Sequence, residues 1–129
     1  MAWTGLHALI GLGFALGLRR YGIFGDLSTC DKTVVEQTAA YVSEMIRLGV
    51  KAFTEREVDL ARKLREMDTV LNKIYSDYLR KVAETPEKNV SCVVSATLII
   101  CYLERIADHA TYIGDSVLYI VSGERSARK

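Results

Sequence analysis

Proline is nearly absent from this sequence: Pro86 is the only one, in a composition that is 50% hydrophobic. A chain of 129 residues with that much apolar material can build one real core and is too short for two domains. An excess of either charge is also lacking, since 17 lysines and arginines stand against 16 aspartates and glutamates, for a net charge of +1. No overall field points to nucleic acid or to an acidic substrate, so partners have to be argued from sites. Cysteine is scarce and unpatterned. Cys30, Cys92 and Cys101 form no C-x-x-C pair and no metal-ligand rhythm. Their simplest reading is as reduced thiols in a cytoplasm, with Cys92 and Cys101 serving as small hydrophobes in an apolar stretch. Alternating strand patterns, internal repeats, nucleophile–base pairs, glycine-rich phosphate loops and zinc motifs are all missing. Catalysis therefore has no positive support, and the chain is read as no enzyme.

The first 20 residues depart from this ordinary composition. Ala2 to Leu18 carries no formal charge and ends on Arg19 and Arg20. The run is short for a membrane span, and its positive charge follows the apolar stretch where a secretory leader would carry it in front. Two readings stay open: a membrane anchor, or a helix that covers the bundle or a partner subunit. Residues 21–31 hold two glycines, a serine and a threonine with no sustained period and read as a linker.

From Lys32 onward the spacing is helical. Val35, Ala39, Val42, Ile46 and Phe53 recur on one face, with Glu36, Glu44 and Arg47 between them. Thr54 and Glu57 have the spacing of a capping box and predict the start of a second helix. Its stripe runs through Leu60, Leu64, Met67, Leu71, Ile74 and Tyr78, with Arg62, Lys63, Lys73 and Asp77 facing solvent. Thr85, Pro86 and Glu87 predict a third start. The third stripe follows through Val93, Ala96, Ile100, Leu103, Ala107, Ala110, Val117 and Val121 to a C-cap at Gly123. No charge occurs from Val90 to Leu103, and Val90, Val94, Leu98 and Ile99 lie off that stripe, which predicts burial on two sides. The fold class is all-α. Residues 32–123 form an antiparallel three-helix bundle, behind an apolar N-terminal segment read as helical and ahead of a tail at 124–129.

Chemistry concentrates in the third helix. Glu104, Asp108, Thr111 and Asp115 recur at four, three and four residues, beside the apolar stripe and not opposite it. Asp68 and Asn72 have the same spacing at the margin of the second helix. If the two helices pack antiparallel, Asp68, Asn72, Glu104 and Asp108 share one polar seam, where a cation would relieve the repulsion between carboxylates. The competing reading is a seam of salt bridges, for which Arg65, Lys73 and Arg105 are available. His109, about a hundred degrees round the helix from Asp108, reads as a solvent-facing or outer residue, not a ligand.

The run YLERIADHATYIGDSVLYIVSGE, from Tyr102 to Glu124, closely resembles the last-helix signature of the PhoU family, with its ERI-DHA core, a following acid and a final Gly-Glu. AFTEREVDLARKLREMD, from Ala52 to Asp68, looks like the second helix of the same family. The resemblance implies a regulator of phosphate uptake and phosphate signalling that acts by protein contacts, with a sensor kinase and a phosphate-transporter ATPase as partners. It also implies a metal ion, iron first, with zinc, manganese or magnesium as alternatives. Glu104 and Asp108 match the family's metal motif directly. Asp68 and Asn72 match its helix-two counterpart, with asparagine replacing the second aspartate, and Asp115 matches a frequently acidic position. Family members of ordinary length carry two such three-helix repeats and this sequence carries one, so a homodimer is expected to restore the second half. A cytoplasmic location is expected, with membrane association through residues 1–20 as a further option. Two other functions stay open: a PhoU-like regulatory domain tethered to or derived from a sodium–phosphate cotransporter, and a metal-free structural bundle.

Overall fold

The helical spacing becomes three α-helices in the structure, a computed structural model that describes residues 32–86 and 89–124. Helix α1 spans Thr33–Glu55, α2 Val58–Glu84 and α3 Val90–Ser122. Each packs against both of the others, giving an up-down-up bundle. The apolar segment 1–20, the linker 21–31 and the tail beyond Glu124 lie outside the described residues.

Both predicted helix starts are displaced, for physical reasons. Thr54 lies inside α1, and its hydroxyl donates back to the Val50 and Lys51 carbonyls at 3.0 and 3.2 Å, so it caps nothing. The chain reverses instead at Arg56, whose φ of 55° is left-handed, and whose amide donates to the Ala52 carbonyl. The Arg56 guanidinium lies over the Phe53 ring, 5.0 Å from its centroid. Glu57 then opens α2 from an extended conformation without a side-chain cap. Thr85 likewise ends α2, its hydroxyl donating to the Lys81 carbonyl at 2.7 Å. The residue that starts α3 is Asn89, whose side chain accepts from the Cys92 amide at 3.3 Å. Of the predicted third start signal, Glu87 lies outside the described residues. Gly123 ends α3 as expected, at φ 72° with its amide on the Tyr119 carbonyl.

The core is a continuous column of Val42, Met45, Leu48, Leu64, Met67, Leu71, Ala107 and Ala110, continued by Ala52, Ala61, Val117 and Leu118. The α2 stripe read from the sequence faces this core, with Leu64, Met67 and Leu71 buried. On α1 the buried line is rotated from the expected one. Thr38, Val42, Met45, Gly49 and Ala52 face inward, whereas Phe53 is exposed. On α3, Val121, Val90 and Val94 are exposed, so burial on two sides does not extend to its first turns. Small residues set the helix spacing. A Cβ added at Gly114 would stand 3.1 Å from Leu64 Cδ1, and one at Gly49 would stand 3.4 Å from the Ala110 carbonyl oxygen. The α3 backbone therefore sits close to both neighbours.

Candidate functional site

Side-chain contacts fix how α2 and α3 run past one another. Arg65 Nε donates to Asp115 Oδ1 at 2.9 Å, and Arg62 reaches Glu124 at 2.9 Å one turn further out. At the other end of the seam, Tyr75 Oη and Cys101 Sγ are hydrogen-bonded at 3.1 Å. Between these two anchors the antiparallel register brings Asp68 and Asn72 level with Asp108 and Glu104. Along the seam the two helix edges run side by side, with Asp108 and Asp68 near enough for their charges to act on Glu104.

Its chemistry follows from who stands next to whom. Glu104 is half-buried, and its carboxyl is held above the ordinary carboxylate range, chiefly by burial and then by the negative charges of Asp108 and Asp68. The charged groups acting on it are therefore acids from both helices. One carboxylate oxygen of Asp68, Oδ1, is buried in the seam, while Asn72 is exposed at its outer edge. The Tyr75 hydroxyl is likewise held above its usual range, first by the hydrogen bond to Cys101, then by burial, and last by the charges of Cys101 and Glu104.

Of the cations available for a salt-bridge seam, Arg65 is committed to Asp115. In that pair the Asp115 side chain is only 12% exposed, against 35% for Arg65. Asp115 therefore stands at the Arg65 end of the seam, in a partly buried ion pair. Thr111, the fourth member of the polar row, is turned fully inward, and its hydroxyl donates to the Ala107 carbonyl at 3.0 Å. His109 is exposed and packs edge-on against Tyr112, with ring centroids 6.0 Å apart, in keeping with an outer residue.

The donor set suits a hard or borderline cation, being carboxylate and amide oxygen from two facing helices. Among the described residues, however, no three histidine, cysteine, aspartate or glutamate side chains converge closely enough to hold an ion between them. The seam supplies the right atoms in a row and not a closed coordination shell. Tyr75 and Cys101 are the seam residues that sequence reasoning placed elsewhere, as core-edge and buried fillers. Their signal was positional, since Cys101 precedes Glu104 by three residues and Tyr75 follows Asn72 by three, one helical turn in each case. Cys92 also departs from expectation. It is disulfide-bonded, and it is half-buried in the first turn of α3.

The PhoU domain family matches residues 35–117 of the chain. Over 86 residues the chain is 34% identical to the phosphate-specific transport system accessory protein PhoU homolog of Pseudomonas putida, a match covering 64% of this chain and 33% of that protein. PhoU homolog 1 of Thermotoga maritima is 33% identical over 84 residues, covering 63% of this chain and 36% of the relative. PhoU homolog 1 of Methanothermobacter thermautotrophicus is 26% identical over 88 residues, covering 66% and 40%. The chain thus spans between a third and two fifths of the length of these relatives. No solved structure matches it significantly.

Proposed function

The chain belongs to the PhoU family, and from that premise we propose that it is a regulatory adaptor of phosphate uptake, restraining import by protein contacts and not by catalysis. The observation that carries this reading is the family match, which spans all three helices and both edges of the carboxylate seam. Named relatives are accessory proteins of phosphate-specific transport. A transporter ATPase and a phosphate-signalling sensor kinase are the partners such a role requires. We place the cation on Glu104 and Asp108 of α3 with Asp68 and Asn72 of α2, iron first, and zinc, manganese or magnesium as alternatives. Asp115 closes the far end through Arg65. Water or donors outside the described residues would complete the shell.

The stretch that matches the relatives covers a third to two fifths of their length, and a second copy of the chain would supply a second three-helix unit. The outer face of α3, with Tyr112, Ile113, Tyr119 and Ile120 each more than a third exposed, offers the apolar surface for it. Light scattering is expected to give twice the 14.4 kDa chain mass, and a single-chain mass at working concentration would remove the dimer from the reading. The function itself is tested by deleting the chain in its host and following uptake of labelled phosphate from phosphate-replete medium. Uptake is expected to rise severalfold and to return to normal on complementation. Unchanged uptake would overturn the role.

One observation favours a second reading, a PhoU-like domain that works at a membrane on a sodium–phosphate cotransporter. Helix α3 is long and apolar enough to cross a bilayer, and only 22% of its most apolar window is buried in the bundle. Recovery of the chain in the membrane fraction, released only by detergent, would favour this reading over a soluble adaptor.

A further inference from the structure

The outer face of α3 carries a row of exposed side chains along most of the helix. Val94, Tyr102, Tyr112 and Ile120 are 43%, 48%, 51% and 58% exposed, and Arg105 and His109 between them are exposed as well. At about 100° per residue the six fall within an arc of about 80°, on the side away from the buried Ala107 and Gly114. An exposed strip with this much apolar surface marks a place of contact. The order of its residues identifies what covers it. They stand at intervals of eight, three, four, three and eight residues, a spacing that reads the same in either direction about Ala107. The chemistry repeats with the spacing. The outermost pair, Val94 and Ile120, is β-branched and aliphatic, and the next, Tyr102 and Tyr112, is aromatic. The innermost sets Arg105, a donor only, against His109, whose imidazole nitrogen can accept. A surface that matches its own reverse is complementary to a second copy related by a two-fold axis, because such an axis brings residue i against j and j against i. An unrelated partner would give no reason for that symmetry.

We propose that α3 of one copy packs antiparallel on α3 of a second, about a two-fold axis level with Ala107, so that Val94 meets Ile120, Tyr102 meets Tyr112 and Arg105 meets His109 across the interface. This pairing rests on the homodimer reading and assigns it a face and a register. Each contact occurs twice, once on either side of the axis. The row runs from residue 94 to residue 120, about 39 Å of helix at 1.5 Å per residue. The aliphatic ends and the two tyrosine pairs bury apolar surface, while the central guanidinium and imidazole fix the direction in which the helices lie.

Charge exchange at the tyrosine pair tests face and register together, on the full chain. Tyr102→Glu and Tyr112→Lys each set a charge against a partner tyrosine at two places in the dimer. Each is expected to weaken self-association at least about tenfold in sedimentation equilibrium. Combined in one chain, the two substitutions bring the new carboxylate of each copy against the new ammonium of the other, and association is expected to recover to within about threefold of the parent. Within one chain the two positions are ten residues apart, about 15 Å along the helix, so the recovery cannot arise internally. Both side chains are about half-exposed, and circular dichroism checks that helix content is unchanged. A dimer that neither single substitution weakens would overturn this face while leaving the homodimer standing. Two weakened single variants with no recovery in the double would overturn the register. A parent chain that stays a monomer would overturn the homodimer and the pairing alike, and its binding to vesicles of phosphatidylglycerol and phosphatidylethanolamine would give the strip to a bilayer instead.

Discussion

Leu64→Ala is expected to lower the thermal midpoint by about 15 °C or more, corresponding to about 3 kcal/mol or more in a domain of this size. Leu64 is fully buried at the centre of the column, among Val42, Met45, Met67, Leu71, Ala107 and Ala110. Truncating it removes the transfer free energy of the lost carbons and leaves a cavity. The neighbours are poorly placed to fill that cavity, because α3 already approaches α2 as closely as Gly114 allows. Two-state thermal unfolding measures the effect, and a loss below about 1 kcal/mol would mean that the column repacks freely. Gly114→Ala sharpens the test. In the parent its new methyl would press on Leu64 Cδ1 at 3.1 Å, offsetting the helix propensity that alanine gains over glycine. In the Leu64→Ala background that contact is gone, and the same substitution is expected to recover about 1 kcal/mol. Strict additivity of the two changes would show that Leu64 does not lie over Gly114.

Elemental analysis of chain purified without chelator is expected to find stoichiometric metal, and the Glu104→Gln, Asp108→Asn double variant is expected to lose it. Both changes preserve shape while removing charge, so the loss would report on coordination and not on folding. The pH dependence of the metal-free proteins separates the two further. Glu104 is held above its ordinary range by burial and by Asp108 and Asp68, so the folded state binds its proton more tightly than the unfolded chain does. Its contribution to stability is greatest below the unfolded carboxyl range and is lost as pH rises through the folded value, and at neutral pH the ionised group opposes folding. A metal-free Glu104→Gln variant should therefore be more stable than the metal-free parent at pH 7, and the two should converge in acid, below about pH 4. A variant less stable than the parent at neutral pH would show that these acids make favourable contacts instead of repelling. No metal in either protein, even after reconstitution, would leave a PhoU-like bundle that acts through protein contacts alone.

The seam also shows how far spacing can be read as chemistry. Glu104, Asp108, Asp68 and Asn72 were visible as two acidic edges because a four-residue interval keeps side chains on one helix face in any packing. The division of labour among them was not visible. Arg65 was one of three cations able to pair with any of the acids, and its commitment to Asp115 depends on the longitudinal register of α2 against α3. That register also sets Tyr75 against Cys101, a pair separated by 26 residues with no motif to announce it.

By itself the sequence determined that residues 32–123 form three long helices with very short connections, that α2 presents Leu64, Met67 and Leu71 to a core, that Gly123 ends the last of these helices, and that the family is PhoU. Each of these follows from local spacing, from a single backbone conformation, or from a contiguous run of residues. Tertiary structure alone decided the rotation of α1 and α3. A period of 3.6 residues fixes which side chains share a row but not which of several apolar rows meets a neighbour. In the packed bundle Gly49 meets Ala110 and Gly114 meets Leu64 and Ala61, while Thr38 and Thr111 are buried and Phe53 and Val121 are exposed. Tertiary structure likewise overrode the local signals at Thr54 and Thr85. Their hydroxyls bond back to carbonyls of the helix before them, and the next helix starts only where the chain has turned far enough for its apolar face to reach the core.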